Sequence, residues 1–278
     1  MNKNYKLGLY EKAMPSVLSW SEKFQEAKAA GFDYVEISID ESADKLARLE
    51  YSEGQILKIV EAGRSLGICL GSICLSGHRK YPLGGENPRS MEIMENAIRF
   101  AKIAGIPVIQ LAGYDVYYTE STKETVDKFA TNLKKATMIA ASEGILLGFE
   151  TMETPFMDTV EKSMKFVNMV DSPYLNVYPD LGNLTNASLI YKKSVEEDLM
   201  SGKGKIIATH IKETVVGKYR EIPFNTGHVN FKSVIDKAWE LGSRRFVTEL
   251  WYTGSEKWRE DIAFASSFAR SFLDKEDN

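Results

Sequence analysis

The segment Ile145-Leu146-Leu147-Gly148-Phe149-Glu150 joins a short apolar run to a single carboxylate. The same arrangement returns three times further along the chain, where apolar runs end in Asp180, His210 and Glu249. These four polar end residues are 30, 30 and 39 positions apart, which leaves room for a strand, a helix and their loops in each interval. We therefore interpret the runs as four successive strands of a (β/α)8 barrel, in which the C-terminal ends of the strands carry the active site.

The rest of the chain continues this alternation of short apolar runs with longer amphipathic segments, which is typical of a parallel α/β fold. Four earlier strands are predicted at Lys6–Tyr10, Tyr34–Ile39, 68–75 and Val108–Ala112. Strand seven is predicted over 206–209, immediately before His210, and the sixth helix over about 188–200. Eight strand–helix pairs result, so the predicted fold is an α/β, (β/α)8 TIM barrel. One such domain typically needs roughly 250 residues, so residues 1–278 are predicted to form a single domain.

The composition excludes several classes of protein. The 35 Lys and Arg residues and the 39 Asp and Glu residues give a net charge of −4, and no long basic run suggests a nucleic-acid surface. No apolar run approaches the roughly 18 residues of a membrane span, and the apolar stretch at the start is too short for a signal peptide. Cys69 and Cys74, five residues apart in one predicted strand, point to opposite faces and cannot easily pair. Two reduced thiols fit a cytoplasmic protein.

Glu150, Asp180, His210 and Glu249 form a candidate metal site at the barrel mouth. Three crowded carboxylates repel one another, and at least one would bind a proton unless a cation neutralised them. Oxygen-rich sites favour Mg²⁺ or Mn²⁺, and an imidazole also admits Zn²⁺ or Co²⁺, so we expect one divalent metal ion. A single acidic residue near a turn is usually a solvated surface group. Four ligands in register at the ends of consecutive strands indicate a shared site.

Five longer strings carry a family resemblance. They are GLYEKA at 8–13, CLSGHR at 74–79, IQLAGYDVYY at 109–118, YPDLGNL at 178–184 and HIKET at 210–214. Through them, nearly the whole chain resembles the L-ribulose-5-phosphate 3-epimerase family, also described as L-xylulose-5-phosphate 3-epimerases, within the wider group of xylose-isomerase-like barrels. One departure is Glu213, which stands where we expect an aspartate.

The resemblance implies a function for the candidate site. It implies a metal held by Glu150, Asp180, His210 and Glu249, with Glu150 and Glu249 also acting as the acid–base pair. It further implies a ketopentose 5-phosphate as the small-molecule substrate, with neither nucleic acid nor membrane as a partner. A homodimer and a cytoplasmic place in L-ascorbate degradation or related pentose catabolism complete what the family leads us to expect.

A 3-epimerase interconverts L-xylulose 5-phosphate and L-ribulose 5-phosphate by removing the proton at C3 and returning it on the opposite face. The metal would act as a Lewis acid on the C2 and C3 oxygens and stabilise an enediolate. Strands five and eight lie three steps apart around the ring, so Glu150 and Glu249 can flank a substrate from different sides. Asp180 and His210 come from the strands between them and would be mainly structural ligands.

The sugar and its phosphate need further polar groups, and the sequence offers candidates in the loops after strands one, three and seven. Arginine gives bidentate contacts to phosphate and lysine a point charge, although each loop charge alone is more often simply solvated. Lys212 follows His210 by two residues and so faces the same side of its strand. The predicted substrate-binding residues are Lys12, His78, Arg79, Gln110, Asn183, Lys212 and Arg220.

Other functions remain open from the sequence. The same metal set would serve a related ketose epimerase, an aldose–ketose isomerase or a dehydratase acting on another sugar or sugar phosphate. An endonuclease-like barrel with several zinc ions would need more than the three histidines present and a positively charged DNA groove. A non-catalytic sugar-phosphate binding protein would have no use for an intact acid–base pair.

Overall fold

A computed structural model describes residues 3–274, and its centre is one sheet of eight parallel strands. The strands are β1 (Lys6–Tyr10), β2 (Tyr34–Ile39), β3 (Cys69–Leu75), β4 (Val108–Ala112), β5 (Leu146–Glu150), β6 (Leu175–Tyr178), β7 (Thr209–Ile211) and β8 (Arg245–Thr248). Their order in the sheet is β6-β5-β4-β3-β2-β1-β8-β7. Two parallel bridges, Val177 with Ile206 and Asp180 with His210, join the ends of this series. The prediction of a (β/α)8 TIM barrel is therefore confirmed.

Helices surround the strands and follow the expected alternation. They are α1 (Trp20–Ala29), α2 (Ala43–Ala47), α3 (Glu53–Ser65), α4 (Arg89–Ala104), α5 (Lys123–Ser142), α6 (Val160–Val170), α7 (Leu181–Tyr191), α8 (Val195–Met200), α9 (Phe231–Glu240) and α10 (Trp258–Leu273). Several begin with a capping box, in which a hydroxyl side chain and the residue three positions later satisfy each other's backbone amides, as at Ser19 and Ser52. Within residues 3–274, none of these helices has the length and apolar character needed to cross a bilayer.

The inward and outward faces of the strands have different roles. In β2, Val35, Ile37 and Ile39 point outward and join the large apolar core beneath the helices. Tyr34 and Glu36, at alternate positions, point into the barrel. A polar residue at an inward position near the C-terminal end of a strand is therefore directed at the barrel mouth.

Tyr34 closes the opposite, N-terminal end of the barrel. Its ring is almost completely buried, and its hydroxyl donates to the carbonyl of Phe246 at 3.1 Å. Gly8 and Gly71 make room for the ring, because an added Cβ would lie only 2.4 and 2.3 Å from its carbon atoms. The two glycines are therefore required by close packing against Tyr34.

A buried charged cluster fixes the loop after β1. The carboxylate of Glu11 accepts hydrogen bonds from Lys23 Nζ, Lys45 Nζ and Arg48 Nη1, each at 2.6 Å, and from the backbone amide of Ser38 at 3.0 Å. Burial alone would raise the pKa of Glu11, but Arg48, Lys45 and Lys23 outweigh burial and hold that pKa well below its ordinary value. One carboxylate thus faces three cations.

Two sequence-based boundaries differ from the structure by several residues. The segment predicted as one helix over 188–200 contains parts of two helices. The first, α7, begins at Leu181 and ends where Lys192 adopts a left-handed conformation, with φ of 52°, and α8 follows at Val195. The early start results from Asp180, whose side chain accepts from the backbone amide of Asn183 and caps α7. Strand seven begins at Thr209 and not at 206, so His210 lies inside β7 and not beyond it.

Candidate metal centre

Four neighbouring strands bring the predicted metal ligands together. Glu150 is the last residue of β5, Asp180 follows β6, His210 lies in β7, and Glu249 follows β8. Each contributes one potential ligand atom, and these four atoms lie within 4.8 Å of one another. All four side chains are buried. The spacing is short enough for one ion to reach every ligand.

The imidazole of His210 directs Nδ1 toward the three carboxylates. Nδ1 lies 3.3 Å from Glu150 Oε1, 3.8 Å from Asp180 Oδ2 and 3.6 Å from Glu249 Oε2. A cation among these atoms would have three oxygen ligands and one nitrogen ligand. Such a set is compatible with Mn²⁺, Zn²⁺, Co²⁺ or Mg²⁺.

Unsatisfied acceptors support this interpretation. Asp180 Oδ2 and Glu249 Oε2 are buried and accept no hydrogen bond of good geometry, whereas buried polar atoms in folded proteins are almost always hydrogen-bonded. The ammonium group of Lys212 lies 2.8 Å from the first and 3.1 Å from the second, and so supplies part of the missing positive charge. The residues therefore fit a divalent cation.

The pKa values reflect the same crowding of negative charge. Burial raises the pKa of Asp180 to about 8, and burial together with repulsion from Glu249 raises that of Glu150. Burial would also raise the pKa of Glu249, but the nearby Lys212 and His210 outweigh burial and lower that pKa to about 2. Without a bound cation, the carboxylates would share at least one proton at neutral pH, and a divalent ion would displace it.

Glu36 of β2 contacts the predicted metal ligand His210 on the side of its ring away from the three carboxylates, and the sequence predicted no role for it. Its Oε1 lies 2.7 Å from His210 Nε2, while Oε2 accepts from Ser72 Oγ at 2.6 Å and from the Tyr178 hydroxyl at 2.9 Å. The sequence could have indicated this role, because Glu36 is the only charged residue of β2 and lies on the same inward face of the strand as Tyr34.

Three of the predicted substrate-binding residues adjoin this centre. Gln110 donates from Nε2 to Glu150 Oε2 at 2.5 Å, and Asn183 donates from Nδ2 to the carbonyl of Thr151 at 2.8 Å. The amide oxygens of Gln110 and Asn183 are buried without a hydrogen-bond partner. Lys212, as described, contacts the carboxylates directly. These side chains therefore lie around the predicted metal ligands and not in a separate basic cluster.

Arg79 and Arg220 lie at the rim of the barrel and are linked through two other residues. The Arg79 guanidinium lies over the ring of Tyr117, 4.6 Å from its centroid. The Tyr117 hydroxyl donates to Glu153 Oε1 at 3.0 Å, and Arg220 pairs with the same oxygen at 2.6 Å. The loops after β3, β4, β5 and β7 thus meet at one point of the rim.

Lys12 and His78 have partners of their own. Lys12 pairs with Asp40 at 2.5 Å in a partly exposed ion pair. His78 is buried, with Nε2 3.0 Å from the carbonyl of Ser90, and burial lowers its pKa to about 4. A neutral imidazole in this position ties the loop after β3 to α4 and carries no charge for a phosphate. The binding roles of both residues stay predictions.

Comparisons with known proteins agree with the fold and narrow the choice of function. The family model described as xylose isomerase-like TIM barrel matches residues 24–268. Among curated proteins, the L-ribulose-5-phosphate 3-epimerase UlaE of Escherichia fergusonii is 37% identical over 280 residues, which cover 99% of this chain and 97% of that protein. The protein of the same name from Escherichia coli O17:K52:H18 matches equally, at 37% identity and the same coverage.

Solved structures resemble the whole barrel. A D-psicose 3-epimerase from Clostridium cellulolyticum H10, crystallised with D-tagatose, superposes with a TM-score of 0.80 at 16% identity, over 96% of this chain and 99% of that one. A structure of L-ribulose 3-epimerase gives a TM-score of 0.74 at 18% identity, over 97% and 93% of the two chains. At these identities the likeness establishes the common fold alone.

Proposed function

Since the chain belongs to the xylose isomerase-like TIM-barrel family, and within it to the L-ribulose-5-phosphate 3-epimerases, we propose that it is an isomerase that interconverts L-xylulose 5-phosphate and L-ribulose 5-phosphate. The observation that carries the proposal is the convergence of four ligand atoms, from Glu150, Asp180, His210 and Glu249, within 4.8 Å. Two carboxylates of this set come from β5 and β8, which are separated by two strands. They are thus available to opposite faces of a bound sugar.

Glu150 and Glu249 form the proposed acid–base pair, and their surroundings differ in a useful way. Glu150 is held by the neutral amide of Gln110, and its pKa is raised by burial and by Glu249. Glu249 lies beside the Lys212 ammonium, which contributes to the lowering of its pKa. Two carboxyl groups whose environments separate their pKa values are suited to opposite roles, one holding a proton while the other accepts one. Their roles exchange when the reaction runs in reverse.

The same four residues would hold a divalent cation, of which Mn²⁺, Zn²⁺, Mg²⁺ and Co²⁺ all suit the ligand set. When bound, such an ion supplies Lewis acidity to the ketone and stabilises the enediolate. Asp180 is prepared for this role because its Oδ1 is engaged in capping α7, with the amide of Asn183 at 2.8 Å, while Oδ2 faces the other ligands. His210 presents Nδ1 to the same space.

Contacts to the rest of the substrate are proposed from the unsatisfied groups. The free amide oxygens of Gln110 and Asn183 can each accept a hydrogen bond from a sugar hydroxyl. Lys212 adjoins the metal ligands, which favours contact with the reacting end of the ketose. We assign the phosphate to the basic residues of the rim, with Arg79 and Arg220 available for bidentate contacts. Lys12 and His78 complete the set predicted for substrate binding.

The test is hydrogen exchange at C3. Metal-loaded protein is incubated in D₂O with L-ribulose 5-phosphate, and the products are followed by NMR. We expect deuterium at C3 together with L-xylulose 5-phosphate. An aldose product with deuterium at C1 or C2 would instead identify an aldose–ketose isomerase, and substrate recovered without label would refute the proposal. Free L-ribulose in a parallel reaction measures how much the phosphate contributes to kcat/KM.

Location and assembly are also proposed. Cys69 and Cys74 are free thiols, in keeping with the proposed cytoplasmic place of the enzyme in L-ascorbate degradation or a related pentose pathway. We propose a homodimer as well, in line with the family resemblance. Light scattering coupled to size-exclusion chromatography tests this, because a dimer would have twice the 31.3 kDa mass of the single chain.

A further inference from the structure

Glu36 is part of a hydrogen-bonded network that crosses the barrel interior. It lies on β2, whereas its partner His210 lies on β7, 174 residues later in the chain. A β-bulge between β2 and β3 supports the contact, because the additional residue Gly71 shifts the register and places Ser72 opposite Glu36. Tyr178 reaches the same carboxylate from β6. Four strands thus contribute to one buried arrangement.

The partners of Glu36 determine which nitrogen of His210 carries hydrogen. Oε2 already accepts two hydrogen bonds, from Ser72 and Tyr178, and Oε1 faces His210 Nε2 at 2.7 Å. An ionised carboxylate accepts hydrogen bonds and donates none, so we infer that Nε2 is the donor in this contact. In the neutral imidazole, the lone pair available to a cation is then on Nδ1, the atom that faces the three carboxylates.

We propose that Glu36 is a positioning residue that holds His210 in the tautomer and orientation in which Nδ1 serves as the metal ligand. A carboxylate behind a ligating histidine also makes the imidazole a stronger donor, and loss of such a group typically weakens metal affinity by roughly 10- to 100-fold. Glu36 does not touch the reacting atoms in this scheme. The inference rests on the metal site of the proposed function but does not depend on which sugar reacts there.

The first test compares metal affinities of matched variants. Glu36→Gln keeps the shape of the side chain but removes its charge, and we expect Zn²⁺ to bind about 10- to 100-fold more weakly in competition with a chromophoric chelator. Tyr178→Phe removes one donor to Glu36 and should give a smaller loss. Asp198→Asn is the control, because Asp198 is also a buried carboxylate but accepts from the amides of Val160 and Glu161 at the start of α6. Its Zn²⁺ affinity should equal that of the unmodified chain.

The second test reads the tautomer directly and needs no variant. The chain has only three histidines, so the imidazole nitrogens of ¹⁵N-labelled, Zn²⁺-loaded protein can be assigned by NMR. We expect His210 to retain a slowly exchanging Nε2–H and to show a metal-shifted Nδ1. Coordination through Nε2, or wild-type Zn²⁺ affinity in Glu36→Gln, would overturn the positioning role.

The two proposals fail in different ways. Loss of Zn²⁺ affinity in Glu36→Gln together with the Nε2–H signal would sustain the positioning role even if no C3 exchange were found, and only the epimerase assignment would then fall. Conversely, C3 exchange in the unmodified enzyme with coordination through Nε2 would refute the role of Glu36 alone.

Discussion

Replacement of Glu11 by glutamine tests the physical account of the cluster after β1. The Glu11→Gln substitution would keep the shape of the side chain but leave Lys23, Lys45 and Arg48 without their shared counter-ion. The carboxylate is fully buried and these cations are only 3, 14 and 12% exposed, so solvent can screen little of the resulting repulsion. Removing one partner of a buried ion pair typically lowers the free energy of unfolding by about 3–5 kcal/mol. For a chain of this size, that corresponds to a fall in Tm of roughly 6–20 °C.

The pH dependence of this loss provides a second readout. Burial lowers the pKa of Lys45 to about 8 even with Glu11 present. Without the carboxylate, the pKa of Lys45 should fall further, because the attraction that favours its charged form is gone. A lysine whose pKa is lower in the folded than in the unfolded state destabilises the fold at low pH and does so less as pH rises. Glu11→Gln should therefore be most destabilised near pH 6 and partly recover near pH 9.

The assay is chemical unfolding in urea, at low salt and without phosphate, so that no added anion replaces the carboxylate. Asp127→Asn is the control, since its ion pair with Lys123 at 3.2 Å is exposed on α5 and its removal should change stability by no more than about 0.5 kcal/mol. If Glu11→Gln lost less than about 1 kcal/mol at pH 6, or lost the same amount at pH 6 and pH 9, the account of this cluster would be wrong.

Three further predictions concern the site and its surroundings. Glu150→Gln and Glu249→Gln should each lower the rate of C3 exchange in D₂O by at least about 100-fold, and substantial turnover in both variants would rule out this acid–base pair. Lys212→Met leaves the ionised carboxylate of Glu249, whose pKa is about 2, without its buried counter-charge, so calorimetry should find the chelator-treated variant destabilised by about 3–5 kcal/mol, with recovery on adding Zn²⁺; equal losses with and without metal would contradict this. His78 has a folded-state pKa of about 4 against an ordinary 6.5. Stability should therefore fall as pH drops from 6.5 to 4, by up to about 3 kcal/mol, and urea unfolding of His78→Gln should have a flatter pH profile in this window if the reasoning holds.

The barrel and the convergence of the ligands could be predicted because both depend on local periodicity. A strand alternates its faces every residue, and parallel strands place their C-terminal ends on one side of the barrel. Apolar runs that end in Glu150, Asp180 and His210 at intervals of 30 residues therefore specify neighbouring ligands. The chemical roles of these residues depend on a bound substrate and stay predictions.

The role of Glu36 and the start of α7 could not be predicted from such local patterns. Glu36 meets His210 only because two strands far apart in sequence face each other across the barrel. The start of α7 depends on Asp180, which caps the helix with one oxygen while the other faces the predicted metal ligand His210. A pattern that assigns each residue one role missed this double use and placed the helix seven residues too late, at 188 instead of Leu181.

The close packing of Tyr34 against Gly8 and Gly71 has a consequence for the path by which substrate and product reach and leave the site. Because Tyr34 fills the N-terminal end of the barrel, we expect the ketose to enter and its epimer to leave on the other side, where the C-terminal ends of the strands lie. Obstruction of that side of the barrel would slow the reaction in both directions alike and leave the equilibrium ratio of the two epimers, which thermodynamics sets, unchanged.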